Sequence, residues 1–209
     1  MKLHDAQYWK DRPLTPDDKD WIDNQPNWVE SYVHSTYHPH RQLIVDALVE
    51  IPFESALEIG CNTGSNLIRI HELFPEVKLA GIDVNKKCIN KAKGFLGKAT
   101  FKVSDYHSIP FPDKSFDVVL ADAVLMYSSP KQIAKAMSEI DRVAKQVVII
   151  VDRLDKSKSG VRNGHVWARN YPTILKNLGF NVNAKKITKQ LWPKSIGWQR
   201  FGYLFVGIR

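Results

Sequence analysis

ALEIGCNTG, residues 56–64, is an apolar run that leads directly into two glycines, Gly60 and Gly64. Leucine and isoleucine residues then recur at helical spacing over residues 67–73, ahead of Pro75. Glycine lets the backbone turn sharply and approach a ligand closely. The pattern predicts a strand, a tight turn and a helix, with a nucleoside-bearing ligand held at the N-terminus of that helix.

Predicted strands and helices alternate on both sides of this unit. The β-branched run at 147–151 is typical of a strand buried on both faces, so helices must cover both sides of the sheet. Together the elements predict a doubly wound α/β domain. Further helices are predicted at 39–51, at 88–92 (closed by Gly94), after Ser128 to Pro130, and at 169–178. Further strands are predicted at 77–82, 100–103, 116–121, 147–151, 180–187 and 201–208. A polar loop is predicted at 155–164.

The 209 residues are enough for one sizeable core, and no Pro-, Gly- or Ser-rich stretch divides them. We therefore predict a single domain over 1–209. Residues 1–37 form an appendage within it, because the segment is rich in Asp and aromatics and three prolines interrupt it.

The longest apolar runs are far shorter than the roughly 20 residues of a membrane span, and no apolar signal segment follows Met1. Cys61 and Cys88 both fall in the predicted scaffold, where free thiols fit a reducing compartment. We expect a cytoplasmic protein with no membrane partner. We also expect no metal site. His34, His38 and His40 are the candidate ligands, but Pro39 breaks the regular spacing between the last two.

Two acidic residues end predicted strands, at the edge where open α/β sheets bind ligands. Asp83 ends the second strand, where its carboxylate could accept hydrogen bonds from ribose hydroxyls. Asp105 ends the third and could accept from an adenine amine, with Ser104 and Tyr106 beside the base.

The set of motifs resembles the class I S-adenosylmethionine-dependent methyltransferases, and in particular their small-molecule, type 11-like branch. The resemblance covers residues 38–152. It rests on EIGCNTG (58–64), GID (81–83), SDY (104–106) and SFDVV (115–119), and FPDKSFD (111–117) is typical of that branch. One departure is Asn62, where the family usually has a third glycine. Asparagine tolerates a left-handed backbone, so we expect the turn to survive.

The resemblance implies a Rossmann-like, seven-stranded, mostly parallel sheet whose last strand, 201–208, is antiparallel. It implies S-adenosyl-L-methionine as the cofactor and S-adenosyl-L-homocysteine as the product, with loop 60–64 at the methionine part, Asp83 at the ribose and Asp105 with Tyr106 at the adenine. The implied cofactor-binding residues are Glu58, Gly60, Cys61, Asn62, Gly64, Asp83, Val84, Ser104, Asp105, Tyr106, Ala121 and Asp122. As in many relatives, the appendage would form a lid, with Trp21, Trp28, Tyr32 and Tyr37 shaping specificity.

Methyl transfer from a sulfonium requires alignment and exclusion of water more than dedicated machinery. Residues 121–125 (ADAVL) lack the Asn- or Asp-Pro-Pro-aromatic motif of related enzymes that methylate base amines and glutamine, so a small-molecule acceptor is the simplest expectation. Tyr127, His107 and His165 are candidates for a base or substrate anchor. Arg41 is a candidate for binding the carboxylate of the donor.

Positive charge is concentrated at the end of the chain. Residues 1–152 hold 18 Lys or Arg and 21 Asp or Glu, a net charge of −3, whereas residues 153–209 hold 12 and 1, a net charge of +11. This field would attract an anionic small molecule, a nucleic acid or an acidic protein, or else it is a solvated face that aids solubility.

Three alternative functions follow. An RNA-modifying methyltransferase would use the basic quarter on phosphates and stack Trp167, Trp192 and Trp198 on bases. An NAD-dependent oxidoreductase would need Gly-x-Gly-x-x-Gly, whereas this chain has Gly60-x-x-x-Gly64. A non-catalytic cofactor-binding module could have the same fold.

Overall fold

A computed structural model describes residues 6–12, 33–156, 161–163 and 166–209 of the chain. Nine strands lie in these ranges. They are β1 (Ser55–Ile59), β2 (Lys78–Asp83), β3 (Thr100–Val103), β4 (Phe116–Asp122), β5 (Ala144–Arg153), β6 (Val161–Asn163), β7 (Val166–Ala168), β8 (Asn181–Lys186) and β9 (Gly202–Ile208).

Helices connect most of these strands. They are α1 (Ala6–Asp11), α2 (Pro39–Val49), α3 (Ser65–Leu73), α4 (Lys86–Phe95), α5 (Ile133–Val143), α6 (Tyr171–Asn177) and α7 (Ile196–Phe201), with short 3-10 turns at Ser35–Tyr37 and Leu125–Tyr127. In the described part of the chain, no helix has both the length and the apolar character needed to cross a membrane.

Seven strands form one sheet in the order β3-β2-β1-β4-β5-β9-β8. The first five in this order are mutually parallel, and β9 is antiparallel to both of its neighbours, β5 and β8. The predicted mostly parallel sheet with an antiparallel last strand is therefore confirmed. The winding direction reverses between β1 and β4, and this arrangement opens a crevice at their carboxyl ends.

Two apolar layers cover the two faces of the sheet. Val147, Ile149 and Val151 of β5 belong to one layer, which includes residues of α2 and α3, and Val148 and Ile150 belong to the other, which includes residues of α5 and α6. All five side chains are at most 1% exposed. Because alternate residues of a strand point to opposite faces, the β-branched run is buried on both sides, as predicted.

Two helix boundaries differ from the prediction. Helix α4 continues through Gly94 to Phe95, since a glycine inside a helix costs only about 1 kcal/mol and Leu96 still packs in the core. Helix α5 begins at Ile133 and not directly after Pro130. The carbonyl of Ser129 accepts the backbone N–H groups of Gln132 and Ile133, so residues 130–132 form a turn before the helix.

The β6–β7 hairpin and α7 were not predicted. The hairpin has three residues per strand and falls partly in the segment predicted as a polar loop, and α7 has six residues. Such short elements show too few repeats for periodicity to reveal them.

Replacing Ile140 of α5, which is fully buried between the helix and the sheet, tests this packing. Ile140→Ala should lower the free energy of unfolding by about 2–5 kcal/mol, because the transfer energy is lost and a cavity remains. Urea denaturation measures the change. Lys135→Ala on the exposed side of the same helix is the control, and an equal loss there would contradict the assignment.

Candidate functional site

A cleft opens above the carboxyl ends of β1 and β4 and has two adjoining parts. We call them the Asp83 chamber and the His40 chamber, after one residue in each; they enclose about 730 and about 750 Å³, including their open mouths. Residues of the first glycine loop and of the segment after β4 line both parts, so the chambers are halves of one cleft. The shared residues are Gly60, Asn62, Asp122, Ala123 and Tyr127.

The loop after β1 has a left-handed backbone at three positions. The φ angles are 67° at Gly60, 49° at Asn62 and 85° at Gly64. Asn62 thus adopts the conformation expected of it. The loop is fixed to β2, because Cys61 N–H donates to the carbonyl of Ile82 (2.9 Å) and Asn62 N–H donates to Oδ2 of Asp83 (2.9 Å).

The Asp83 chamber has the features of a nucleoside site. Asp83 Oδ1 accepts from the backbone N–H of Asn85 at 2.8 Å and Oδ2 accepts from Asn62, and each oxygen keeps capacity for a further donor. Burial raises the pKa of this carboxyl above its usual value. Ile82, Val84, Ser104 and Tyr106 supply the rest of the floor and wall.

Nine of the twelve sequence-predicted cofactor residues line the cleft, and three do not. The nine are Glu58, Gly60, Cys61, Asn62, Asp83, Val84, Ser104, Tyr106 and Asp122. Gly64 lies at the N-terminus of α3, and Ala121 is buried below the cleft. Asp105 lies outside both linings, with Oδ1 2.7 Å from Nδ1 of His107 and its side chain 37% exposed. The cofactor roles of these residues stay predictions.

A buried polar network forms the floor of the His40 chamber, centred on Asp122 at the end of β4. Asp122 Oδ2 accepts from Asn66 Nδ2 at 2.9 Å, and it lies 3.0 Å from His40 Nε2 and 3.2 Å from Arg41 Nη1. Burial by itself would raise the pKa of Asp122, but His40, Arg41 and Asn66 outweigh it and hold the pKa below its usual range. Asp122 is therefore ionised.

Glu58 joins the same network from β1. Its Oε1 accepts from Asn66 Nδ2 at 2.7 Å, and burial raises its pKa to about 8. Among the described residues, three buried oxygens around this chamber have no hydrogen-bond partner: Glu58 Oε2, Asn62 Oδ1 and Asp122 Oδ1. Unpartnered buried acceptors are costly, so this cluster is suited to a ligand that brings N–H or O–H donors.

A stack of three rings, those of His40, Trp192 and Trp198, forms part of the wall of the His40 chamber. The Trp192 ring lies between His40 (centroids 4.3 Å apart) and Trp198 (4.4 Å apart, interplanar angle 5°). Both faces of Trp192 are thus covered, and Trp198 is buried. Trp192 cannot stack on a nucleic-acid base in this arrangement, which removes part of the support for RNA binding.

The first helix contacts the cleft. Ala6 and Trp9 line the Asp83 chamber, and the Trp9 ring centroid is 5.0 Å from that of Tyr127. Asn85 Nδ2 donates to the backbone carbonyls of Trp9 (3.0 Å) and Arg12 (3.3 Å), which fixes the end of α1 against the sheet.

Other predicted residues have different outcomes. Tyr37 is exposed and its hydroxyl donates to Glu72, so it does not line the cleft. Trp21, Trp28, Tyr32 and His165 lie outside the described residues.

Of the catalytic candidates, Tyr127 lines both chambers, and burial raises its pKa above the usual value. His107 does not line the cleft. Arg41 does, but it uses four of its N–H groups on Ser35, Asn66 and Asp122, which leaves it little capacity for a donor carboxylate.

The sequence did not place His38, His40, Asn66 or Trp192 in the cofactor cleft, which all four line. Asn66 could have been found, because it follows the glycine loop on the first turn of α3. The other three lie far from β4 in the chain, and no local pattern indicates that they line the same chamber as Asp122.

Comparisons with known proteins agree with this geometry. Residues 56–146 match a family model described as a methyltransferase domain. The matched segment is thus similar to a methyltransferase domain. The resemblance stated from the sequence is therefore confirmed for this segment, which includes β1 except Ser55, β2 to β4 and the whole loop 60–64.

The chain is also similar to individual methyltransferases, in sequence or in structure. A malonyl-[acyl-carrier protein] O-methyltransferase of Anoxybacillus flavithermus is 33% identical over 98 residues, which are 46% of this chain and 35% of the relative. A demethylmenaquinone methyltransferase of Thermotoga maritima is 29% identical over 79 residues, 38% of this chain and 34% of the relative. The crystal structure of magnesium protoporphyrin IX methyltransferase from Synechocystis PCC 6803 with bound S-adenosylmethionine has a TM-score of 0.70 at 16% identity, covering 98% of this chain and 94% of that one.

The structural match extends over the fold, whereas the sequence matches are partial. Matches to four curated relatives span between 31% and 55% of the length of each relative.

Gly60 offers a test of the loop. A Cβ at this position would lie 2.6 Å from Val124 Cγ2, in addition to the left-handed φ. Gly60→Ala should therefore destabilise the protein by about 1–3 kcal/mol more than Gly64→Ala, whose Cβ would have its nearest neighbour at an ordinary 3.5 Å. Urea denaturation of both variants measures the two losses in the free energy of unfolding. Equal losses would show that Val124 moves away without cost.

Proposed function

We propose that the chain is an S-adenosyl-L-methionine-dependent methyltransferase that acts on a small molecule and releases S-adenosyl-L-homocysteine. The observation that carries the proposal is the cluster of unpartnered buried oxygens on Glu58, Asn62 and Asp122, at the switch point of a methyltransferase domain. The ammonium group of a bound methionine moiety has three N–H donors, and this cluster would accept them.

The Asp83 chamber fits the other end of the same cofactor. The carboxylate of Asp83 would accept the ribose hydroxyls, while Val84, Ser104 and Tyr106 would surround the adenine. Burial raises the pKa of Tyr106 to about 12, so its hydroxyl stays neutral and its ring is available for apolar contact. Asp105, whose side chain is 37% exposed, would lie at the rim as the acceptor for an adenine amine.

The bound cofactor would supply a methyl group on a positively charged sulfur. The chain's own residues then have to align an acceptor and exclude water. Loop 60–64 and the segment from Asp122 to Tyr127 lie between the two chambers, so the reacting groups would meet there. The part of the His40 chamber beyond this oxygen cluster, with Met126, Tyr127 and Trp192 in its lining, would hold the acceptor.

A small molecule fits this chamber better than a nucleic acid. Its lining combines apolar side chains with a few polar groups, as small-molecule sites do. The basic quarter supports an anionic acceptor only weakly, because Arg41, the one Lys or Arg among the described lining residues, is engaged by Asp122. A cytoplasmic location is part of the same proposal.

The oxidoreductase alternative loses its main support. The usual dinucleotide-binding fold has a parallel sheet in the order 3-2-1-4-5-6, whereas here the antiparallel β9 lies between β5 and β8. A non-catalytic module would bind the cofactor without turnover, and binding followed by an activity screen distinguishes the two.

Calorimetry with S-adenosylhomocysteine, and separately with NAD, tests the cofactor. The wild type should bind the first and not the second, and Asp83→Ala should weaken binding at least tenfold, because two ribose hydrogen bonds are lost. Asp113→Ala, which removes an exposed carboxylate outside the cleft, is the matched control and should bind normally. Binding of NAD alone, or normal binding by a folded Asp83→Ala, would contradict the proposal.

Trp9 tests the contribution of the first helix. Trp9→Ala should lower the affinity for S-adenosylhomocysteine on the order of tenfold, because an aromatic wall of the Asp83 chamber is removed. Lys10→Ala, on the exposed neighbour, should leave the affinity unchanged. Equal affinities in all three proteins would mean that α1 does not contact the bound nucleoside.

A further inference from the structure

Two histidines and an aspartate form a chain of close polar contacts in the His40 chamber. His38 Nδ1 lies 2.6 Å from His40 Nδ1, and His40 Nε2 lies 3.0 Å from Asp122 Oδ2. His40 is fully buried and stacked on Trp192, whereas His38 is partly exposed and lines the chamber. The chain thus leads from a buried carboxylate to an imidazole at the cavity surface.

The chain determines which nitrogens carry protons. Asp122 is ionised and accepts only, so His40 Nε2 must carry a hydrogen and donate it. A neutral His40 then has an unprotonated Nδ1, which accepts from Nδ1–H of His38. The backbone N–H of His40 is also directed at His38 Nδ1, at 3.4 Å. In this tautomer Nδ1 carries a hydrogen and cannot accept it, so this longer contact is given up for the one at 2.6 Å. A neutral His38 is left with an unprotonated Nε2, because an imidazole carries one hydrogen.

Both rings are neutral near pH 7. Burial lowers the pKa of His40, and Asp122 does not fully offset it. Burial, together with the nearby ring of His40 and the positive charge of Arg41, lowers the pKa of His38 to about 4, although Asp122 opposes this. The charged or titratable groups near His38 are thus His40, Arg41 and Asp122, and Trp192 packs against its ring at 4.9 Å between centroids.

We propose that Nε2 of His38 is the general base of the methyl transfer, and that the acceptor is a small molecule with a phenolic or enolic hydroxyl. The inference rests on the proposed function, because it assigns the acceptor to the His40 chamber. His40 and Asp122 are positioning residues. A hydrogen bond to one ring nitrogen of an imidazole fixes its tautomer and orientation, and His40, held by Asp122, makes that bond to His38.

The class of acceptor follows from the need for a base. A carboxylic acid is already ionised at pH 7 and needs no base. An aliphatic alcohol is several pKa units less acidic than a phenol, so it is the less favourable acceptor for an imidazole base. A phenol or enol has a pKa near 10, as tyrosine does, so proton removal by an imidazole can accompany bond formation. In the step, the hydroxyl proton passes to His38 Nε2, the oxygen forms a bond to the methyl carbon, and the carbon–sulfur bond breaks with its electron pair left on sulfur. The imidazolium then releases its proton to solvent.

A kinetic experiment tests the proposal with a panel of hydroxyarenes and enolic 1,3-diketones, together with arylamines and arylcarboxylates of the same ring skeletons. S-adenosylhomocysteine formation is the readout. We expect turnover of hydroxyl compounds, with kcat/KM level between pH 6 and 9, since His38 is neutral throughout and protonation would reduce the rate only as the pH falls toward about 4.

The variant His38→Asn should lower kcat/KM at pH 7 on the order of 10²- to 10³-fold, and its rate should rise about tenfold per pH unit, because only the pre-ionised acceptor then reacts. A purely structural role for His38 would not create that slope. His34→Asn, at an exposed histidine on the same segment, is the matched control and should keep the wild-type profile. Calorimetry with S-adenosylhomocysteine should give the same affinity for all three proteins.

Several results would overturn the proposal. They are turnover of amines or carboxylates but of no hydroxyl compound, a His38→Asn profile parallel to the wild type, or no turnover of any hydroxyl compound. In each case unchanged S-adenosylhomocysteine binding would leave the proposed function standing, whereas loss of binding by the wild type would remove both.

A second measurement needs no acceptor. Nitrogen-15 NMR of the full chain with bound S-adenosylhomocysteine should give His38 a protonated Nδ1 and an unprotonated Nε2, and His40 a protonated Nε2, at pH 7. The opposite tautomer of His38, or an imidazolium, would overturn the assignment.

Discussion

The buried negative charge of Asp122 is the constraint on which the site depends. A carboxylate taken out of water is tolerated only when ion pairs and hydrogen bonds replace its hydration. Here those partners come from α2, through His40 and Arg41, and from α3, through Asn66. Asn66 in turn donates to Glu58 on β1, so one charge fixes two helices and two strands around the switch point of the sheet.

The cleft is built from two kinds of sequence. The Asp83 chamber, apart from Ala6 and Trp9, is lined by residues within 56–146, the segment that matches the methyltransferase family model. The His40 chamber takes its distinctive side chains from outside that segment, with His38, His40 and Arg41 before it and Trp192 and Trp198 after it. This division is what a fold with one cofactor and varied acceptors requires, since the loops and flanks can change while the cofactor site is kept.

Local and repeated signals made most of the fold predictable from sequence. Loop 60–64 was recognised because its glycines are needed where the backbone turns, and the run at 147–151 because burial on both faces leaves no polar position. The sequence could not reveal the contact between His40 and Asp122, which are 82 residues apart, because each residue alone suits a helix start or a turn. The roles of Trp192 and Trp198 were likewise hidden: tryptophans in a basic segment are compatible with base stacking, and only their mutual packing places them beside the cleft.

The stack of His40 on Trp192 also bears on the order in which the molecule is completed during synthesis. Domains form from the N-terminus as the chain emerges, and the parallel strands β1 to β5 and the Asp83 chamber are encoded by residue 153. The wall of the His40 chamber needs Trp192, and β9 must then pair along β5. A nascent chain that has just passed β5 therefore has the groups for a nucleoside but an open chamber beside them, and the acceptor site is enclosed only after residues 192–208 have been made.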